Sequence, residues 1–271
     1  MVKLILLASF GFYILHLGII PSQAEAKIHT EVIAYQQGTQ KLEGYLAYDD
    51  SIRGKRPAIL IFHDWMGLGP YQQGRAKLLA QMGYIAFAAD IYGKDIKPKD
   101  VAEAAQLSSR YKLDRSLLRL RAQSAFNLMK ADPRVDAQQI AAIGYCFGGT
   151  SALELARSGI DLADLVSFHG GLDSSDHQDT TPIKTKILIL HGANDPMVPP
   201  KQVAEFTEEM KRRNVDWHLI AYGGAVHAFT NPDAGSDVSK GAAYNPKADH
   251  ASWKEMKSFF KKNLKLKKPA S

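Results

Sequence analysis

Short, nearly unbroken apolar runs recur along this chain and are separated by amphipathic stretches, and this alternation constrains the fold more than any other feature. The run over 57–63, Pro-Ala-Ile-Leu-Ile-Phe-His, is typical. A strand with apolar side chains on both faces must be covered by helices on both faces. Strand followed by helix, repeated along the chain, therefore predicts a mostly parallel, doubly wound α/β sheet.

The predicted elements follow one another without an internal repeat, a low-complexity segment or an interdomain linker. Two alternating segments near the start, split by Gln-Gln-Gly-Thr, predict an antiparallel hairpin at a sheet edge. Strands are predicted over 30–35, 42–48, 57–63, 84–89, 140–145, 165–169 and 186–190, with a further candidate over 217–222. Helices are predicted over 71–82, 101–111, 115–130, 147–158, 201–213 and 246–263.

Residues 1–26 have the pattern of a secretory signal peptide, with one lysine, a long apolar run and a final Ala-Glu-Ala. A membrane anchor is the alternative, but the apolar run is short and is broken by His16 and Pro21. We therefore expect an exported protein, periplasmic or secreted, that starts at Lys27 and has no stable membrane insertion. The remaining residues, 27–271, are enough for one well-buried α/β domain.

The formal charge of +6 does not indicate a nucleic-acid partner. Residues 254–271 hold seven lysines against Glu255, which accounts for the whole excess. A lysine run at the end of a chain is typical of a solvated helix end and tail. The body of the protein is near neutral, so neither nucleic acid nor a membrane surface is predicted as a partner.

The apolar run over 140–145 leads directly into Gly-Tyr-Cys-Phe-Gly-Gly, which contains Cys146, the only cysteine of the chain. The spacing of Gly144, Cys146 and Gly148 is that of a nucleophile elbow, a strained turn from strand to helix. Glycines flank the nucleophile because the turn leaves no room for a β-carbon. The helix that follows directs its N-terminal amides at the sulfur, which favours the thiolate. The alternative, a buried structural cysteine, does not explain this spacing.

Partners for such a nucleophile stand at the ends of later strands. Asp195 follows the strand over 186–190, and His227 follows the last candidate strand. Nucleophile, acid, base is the chain order of the α/β-hydrolase triad. The histidine would take the thiol proton and the carboxylate would orient the histidine. Asp173 also follows a strand and stays an alternative acid, while His63 and His191 suit supporting hydrogen bonds.

Attack on a carbonyl places negative charge on its oxygen, so an oxyanion hole is also required. One donor should be the backbone N–H of Phe147, which follows the nucleophile. The other should lie in the loop after His63, and we assign it to the backbone N–H of Trp65.

The pocket is expected to be small and open. The interval over 171–185 leaves no room for a cap domain, so only the loop over 230–245 could cover it. Trp65, Tyr92 and Phe229 would supply apolar walls.

No cofactor or metal is predicted. The glycine-rich stretch over 67–74 has the outline of a dinucleotide fingerprint, but Gln72 replaces the third glycine and Pro70 removes an amide. The loop over 169–179 is rich in oxygen and imidazole groups, yet its spacing matches no metal-ligand motif.

With these residues identified, the chain resembles the dienelactone hydrolase family of the α/β-hydrolase superfamily, from about Ile28 to the last helix. The resemblance rests on Gly-Tyr-Cys-Phe-Gly-Gly, His-Gly-Ala-Asn-Asp-Pro, Tyr-Gly-Gly-Ala-Val-His-Ala-Phe and the segment over 251–260. It implies an α/β-hydrolase fold. The family's Cys-Asp-His triad falls on Cys146, Asp195 and His227.

The chain also departs from the family pattern. Where the resemblance implies a glutamate paired with the resting thiol, this sequence has Asp64, which is one methylene shorter. Where arginines clamp a substrate carboxylate in lactone-cleaving members, it has Lys94 and Asn231. We therefore expect a hydrolase of a small ester, thioester or lactone that acts through an acyl-thioenzyme. A non-catalytic small-molecule-binding or thiol-sensing protein on the same fold is the alternative.

Overall fold

The computed structural model describes residues 27–176 and 178–266. The predicted signal peptide, residues 1–26, and the end of the basic tail, residues 267–271, lie outside this range. Among the described residues, none of the helices has the length and apolar character needed to span a membrane.

Eight strands form one sheet in the order β1-β2-β4-β3-β5-β6-β7-β8. The hairpin of β1 and β2 joins β4 antiparallel at one edge, and every other neighbouring pair is parallel. This confirms the mostly parallel sheet and the edge hairpin. The strands are β1 Ile28–Gln37, β2 Gln40–Asp49, β3 Arg56–Phe62, β4 Ile85–Ala89, β5 Val135–Tyr145, β6 Asp164–Phe168, β7 Lys186–Gly192 and β8 Trp217–Tyr222.

The six predicted helices are present within about two residues at their ends. They are α1 Pro70–Gln81, α2 Val101–Leu113, α3 Arg115–Ala131, α4 Phe147–Arg157, α5 Pro200–Arg212 and α6 Pro246–Asn263. Two differences stand out. Strand β5 begins earlier than predicted, because Val135 pairs with Arg56 ahead of a register shift. The predicted loop over 230–245 contains two short 3-10 helices, Pro232–Ala234 and Val238–Lys240.

Several helices have a side chain that caps their N-terminus. The Asp100 carboxylate accepts the Glu103 amide at α2, and Asn245 accepts the Ala248 amide at α6. Such caps satisfy amides that have no partner inside the helix. Asp114 ends α2 and caps α3, so these two helices follow one another directly.

The sheet carries a core layer on each face. Alternate residues of β3 point to opposite faces. Leu60 packs into a cluster with Phe126 of α3, and Ile61 packs into a second cluster with Phe260 of α6. Helices therefore cover both faces, as the apolar runs predicted, and the carboxyl ends of the parallel strands are left to form a site.

Candidate active site

Cys146 lies at the sharp turn between β5 and α4, with φ +56° and ψ −118°. A positive φ is unfavourable for a residue with a β-carbon and persists only where the surroundings hold it. A β-carbon at Gly144 would overlap the carbonyl of Gly148, and one at Gly148 would overlap the carbonyl of Phe62. The flanking glycines are thus required by close backbone contact, as the elbow pattern predicted.

The two amides predicted as oxyanion donors are available. Phe147 is the first residue of α4, where an amide has no acceptor inside the helix. Over the described residues, neither the Phe147 amide nor the Trp65 amide has a hydrogen-bond acceptor. The loop that carries Trp65 is fixed beside the elbow, because the Tyr92 hydroxyl donates to the Trp65 carbonyl at 2.9 Å and the Tyr92 ring stacks on Phe147.

His227 is held by Asp195. The His227 Nδ1 lies 2.8 Å from Asp195 Oδ2, and both side chains are buried. The other carboxylate oxygen, Oδ1, accepts the Met197 amide at 2.8 Å, which fixes the carboxylate. Because the carboxylate accepts a hydrogen bond from Nδ1, the other ring nitrogen, Nε2, is the one that can accept a proton. His227 Nε2 is buried and has no oxygen or nitrogen partner in the described part of the chain, and Cys146 also interacts with the ring.

Opposing influences act on the His227 imidazole. Burial lowers its pKa, but the charge of Cys146, the hydrogen bonds to Asp195 and Cys146 and the charge of Asp195 together raise it to about 10. A neighbouring anion stabilises the imidazolium by Coulomb attraction, most strongly where water is excluded. The arrangement therefore favours uptake of a proton by His227.

The alternative acid, Asp173, lies elsewhere. Its carboxylate pairs with Arg115 of α3, and its carbonyl accepts from Arg157. The carboxylate that contacts His227 is Asp195, which agrees with the chain order predicted for the triad.

The Asp64 carboxylate faces its own loop and α1. Asp64 Oδ1 accepts the Met66 amide at 2.8 Å, and Oδ2 accepts Gln72 Nε2 at 3.1 Å. Gln72, which replaces the third glycine of a dinucleotide fingerprint, also accepts the Gly69 amide and so begins α1. Pairing of Asp64 with the thiol stays a prediction.

Lys94 and the carboxamide oxygen of Asn231 each have a partner within the chain. The Lys94 ammonium pairs with Glu43 of β2 at 3.1 Å. The Asn231 carboxamide oxygen accepts the Asp233 amide and caps a short 3-10 helix. Their contact with a substrate stays a prediction.

Two of the three predicted pocket walls are covered. Tyr92 is 1% exposed and Phe229 is 0% exposed, so neither ring reaches solvent. Only Trp65 is partly exposed. The covered rings support the site from behind: Phe229 packs edge to face on His169, and Tyr92 packs on His63.

His63 and His169 complete the site. His63 Nδ1 lies 2.6 Å from the Asp64 carbonyl, and its Nε2 accepts the Ile91 amide, in line with the predicted supporting role. The sequence reasoning gave His169 no role in the site, although it follows β6 directly at the carboxyl edge. That position was the one signal that could have identified it.

The strand order, the elbow and the groups at the carboxyl edge define an α/β-hydrolase fold. The family model described as the dienelactone hydrolase family matches residues 42–264, so this chain belongs to that family of ester- and lactone-cleaving hydrolases. The resemblance seen in the sequence motifs is thereby confirmed.

Similar proteins include a solved structure that aligns with most of this chain. A dienelactone hydrolase-like promiscuous phosphotriesterase from metagenomic libraries is 37% identical, with a TM-score of 0.84, covering 88% of this chain and 99% of that one. An uncharacterised Caenorhabditis elegans protein is 35% identical over 53% of this chain and 92% of its own length. A Bradyrhizobium protein named probable 2-oxo-3-(5-oxofuran-2-ylidene)propanoate lactonase is 28% identical over 74% of this chain and 86% of its own length.

Proposed function

We propose that this protein hydrolyses small carboxylic esters or lactones, with Cys146 as nucleophile, His227 as general base and Asp195 as the carboxylate that orients the base. The observation that supports this most is the state of the His227 ring. Its Nδ1 is fixed by Asp195, whereas its buried Nε2 has no oxygen or nitrogen partner in the described chain, and Cys146 acts on the ring through its charge and a hydrogen bond. A ring nitrogen that is held by no other polar group beside a strained nucleophile turn is suited to proton transfer.

The reaction would proceed in two halves. His227 Nε2 takes the thiol proton, and the sulfur attacks the carbonyl carbon while the Trp65 and Phe147 amides donate to the developing oxyanion. The ester C–O bond breaks and the leaving alkoxide takes the proton from His227, which leaves an acyl thioester on Cys146. Water then gives a proton to His227 and attacks the thioester carbonyl. The C–S bond breaks, the sulfur takes the proton back from His227, and the carboxylic acid leaves.

Neutral substrates should be preferred. Lys94 is neutralised by Glu43, and the Asn231 oxygen is used as a helix cap, so neither replaces an arginine that grips a carboxylate through two hydrogen bonds. We expect neutral or singly charged esters and lactones to exceed carboxylated dienelactones by at least about tenfold in kcat/KM. Measurement of both substrate types under identical conditions tests this, and faster turnover of the carboxylated dienelactone would contradict it.

A panel of chromogenic short-chain esters and small lactones tests the proposed activity itself. Wild type should turn over members of the panel, and Cys146→Ala, with an unchanged circular dichroism spectrum, should turn over none. Mass spectrometry of wild type mixed with a slow ester should find the acyl group on the peptide that contains Cys146. Turnover by Cys146→Ala at the wild-type rate would refute the nucleophile assignment. No turnover by either protein would favour the non-catalytic binding or thiol-sensing role.

Organophosphate triesters form a second candidate substrate class. The observation behind it is the 37% identity to a promiscuous phosphotriesterase over 88% of this chain. A thiolate can attack phosphorus as it attacks a carbonyl carbon, with the same amides facing the developing charge. Release of nitrophenolate from a dialkyl nitrophenyl phosphate by wild type, and not by Cys146→Ala, would support this. Stoichiometric release that stops after one equivalent would show a trapped phosphoryl thioenzyme rather than turnover.

We further propose that the protein is exported after cleavage of residues 1–26. The support is the sequence pattern of the leader and its Ala-Glu-Ala end. Intact-mass analysis of protein from the native cell envelope should identify Lys27 as the first residue. A membrane-bound form that retains the leader would overturn the assignment.

A further inference from the structure

His169 connects three loops of the site through its two ring nitrogens. It is 3% exposed and, like Cys146, has a positive φ, +42°. The Cys146 amide donates to His169 Nδ1 at 3.2 Å and shares this hydrogen with the Phe168 carbonyl at 3.0 Å. His169 Nε2 lies 2.8 Å from Thr230 Oγ1. Thr230 stands three residues after the proposed base, His227.

These contacts fix the state of the ring. A backbone N–H can only donate, so His169 Nδ1 must be an acceptor without hydrogen. The hydrogen of a neutral ring is then on Nε2 and is donated to Thr230 Oγ1. A second ring proton would place a donor against the Cys146 amide. It would also place a second positive charge beside His227, whose ring centre is 5.3 Å away.

Other groups around His169 favour the same neutral form. Burial, and next the charge of His227, hold the pKa of His169 well below its ordinary value, and Arg75 acts in the same direction. The Tyr145 and Phe229 rings pack on it from β5 and from the loop after β8. In the described residues no carboxylate contacts the ring to stabilise an imidazolium.

The far side of the connection is also fixed. The Tyr71 hydroxyl of α1 donates to Thr230 Oγ1 at 2.8 Å, and Arg75 donates to the Tyr71 oxygen at 3.0 Å. Arg75 is in turn paired with Asp249 of α6 at 3.0 Å. Thr230 is therefore held by α1, which the ion pair of Arg75 and Asp249 connects to α6, while it accepts from His169.

We propose that His169, as a neutral imidazole, is a positioning residue that ties the backbone of the nucleophile to the loop that carries the base. The ring supports the left-handed conformation of Cys146 by accepting its amide, and it sets the distance between the Cys146 and His227 loops through Thr230. This inference rests on the proposed function, because it takes Cys146 as nucleophile and His227 as base.

Two substitutions of the ring separate positioning from simple packing. In His169→Asn, the side-chain oxygen lies near the place of Nδ1 and asparagine tolerates a positive φ. His169→Leu keeps a buried apolar side chain and loses the acceptor. We expect His169→Leu to lower kcat about a hundredfold with KM changed less than about threefold, because small displacements of reacting groups have effects of that size. His169→Asn should recover most of the loss, and His218→Leu on exposed β8 is the matched control.

Alkylation of Cys146 by iodoacetamide provides a readout that needs no turnover. In His169→Leu the rate should fall, and the part of its pH dependence that His227 supplies should be lost, whereas His169→Asn should keep the wild-type profile. A wild type that hydrolyses no ester would refute the proposed function, and the alkylation profiles would still test His169. Unchanged kcat and unchanged alkylation in His169→Leu would overturn the positioning role while the proposed function stands.

Thr230 supplies a second test that leaves the ring in place. Thr230→Val removes the acceptor of His169 Nε2, and Thr230→Ser keeps it. We expect about a tenfold lower kcat for the valine variant and near wild-type kcat for the serine variant. If His169→Leu does not fold, this pair decides. Equal activity of the two Thr230 variants, or equal loss in His169→Asn and His169→Leu, would contradict the proposal.

Discussion

The two ends of α4 differ in the kind of group that surrounds them. At its N-terminus Cys146 is held by neutral groups: a glycine-lined turn, a carbonyl and an uncharged imidazole. At its C-terminus Glu154 and Arg157 are 0% and 1% exposed and take part in ion pairs. Glu154 accepts from Arg157 at 3.1 Å and from Arg119 at 2.8 Å, and Arg157 pairs with Glu209 at 2.6 Å.

The difference follows from what each end must do. A buried charge is costly unless it is paired and hydrogen bonded, so the charges at the C-terminal end have several partners each. A group that transfers a proton needs an atom that no other polar group holds, and His227 Nε2 at the N-terminal end has no oxygen or nitrogen partner in the described chain. Stability is therefore concentrated at one end of α4 and chemistry at the other.

The two ends are also connected. Arg157 donates to the carbonyls of Leu172 and Asp173, in the loop that follows β6 and begins with His169. The paired charges thus fix the loop from which His169 reaches the nucleophile. This comparison predicts that substitutions at the N-terminal end change rates and substitutions at the C-terminal end change stability.

The largest effect is expected at the reactive end. His227→Ala should lower kcat/KM for an ester by about 10⁴-fold or more, because it removes the proposed acceptor of the thiol proton. Ester hydrolysis with purified variants measures it, and His218→Ala on exposed β8 is the control. Activity of His227→Ala within tenfold of wild type would contradict the prediction that substitutions at the N-terminal end of α4 change rates.

The next effect is expected at the stable end. Arg157→Met should lower the free energy of unfolding by about 3–5 kcal/mol, because it leaves Glu154 and Glu209 with fewer partners in a buried position. Urea unfolding measures this loss, with Arg212→Met on the exposed face of α5 as the matched control. The folded fraction of Arg157→Met should keep kcat within a few-fold of wild type. If Arg157→Met lost activity without losing stability, the prediction that the C-terminal end of α4 determines stability would be wrong.

Much of the fold was predictable from local patterns. The apolar runs located the parallel strands because a strand buried on both faces has no polar alternation. The elbow and the chain order brought Asp195 and His227 to one edge, because the carboxyl ends of parallel strands share it. The location of a residue that directly follows a strand can therefore be inferred from the sequence.

Contacts between side chains far apart in the sequence could not be predicted. The link from His169 to Thr230 spans 61 residues and depends on the final packing of two loops. Lys94 was expected near a substrate, but the antiparallel hairpin brings Glu43 beside it. Burial of Tyr92 and Phe229 depends in the same way on packed neighbours rather than on local pattern.

A smaller effect on rate should follow from loss of the Asp195 charge alone. Burial lowers the pKa of His227, and Asp195 is among the groups that raise it to about 10, so Asp195→Asn should lower that pKa. A raised histidine pKa stabilises the fold below the ordinary value of 6.5, and this stabilisation is lost as pH rises through about 10. In Asp195→Asn the loss should begin at lower pH.

Histidine NMR titration measures the shift, and urea unfolding across alkaline pH measures its effect on stability. We expect kcat/KM of Asp195→Asn to fall about tenfold to hundredfold, less than for His227→Ala, because the amide still contacts the ring. An unchanged His227 titration would show that Asp195 does not act through its charge.

The smallest effect concerns a buried carboxylate that belongs to neither end of α4. Asp164 begins β6, at the opposite edge from the site, and is 1% exposed with its Oδ2 unpartnered in the described chain. Burial raises its pKa from 3.8 to about 7, although the Lys186 charge opposes the shift. Unlike Glu154, this carboxylate lacks the close cationic partners that offset burial.

The sign of the pH dependence follows from that shift. Between about pH 4 and pH 7 the folded state holds a proton that the unfolded state has released, so stability falls as pH rises through this range. Asp164→Asn should therefore be at least about 1 kcal/mol more stable than wild type at about pH 8 and nearly equal to it at about pH 4. Urea unfolding at both pH values measures this, with the exposed Asp161→Asn as control. A less stable Asp164→Asn at the higher pH would mean that the charge of Asp164 is compensated, as the charge of Glu154 is.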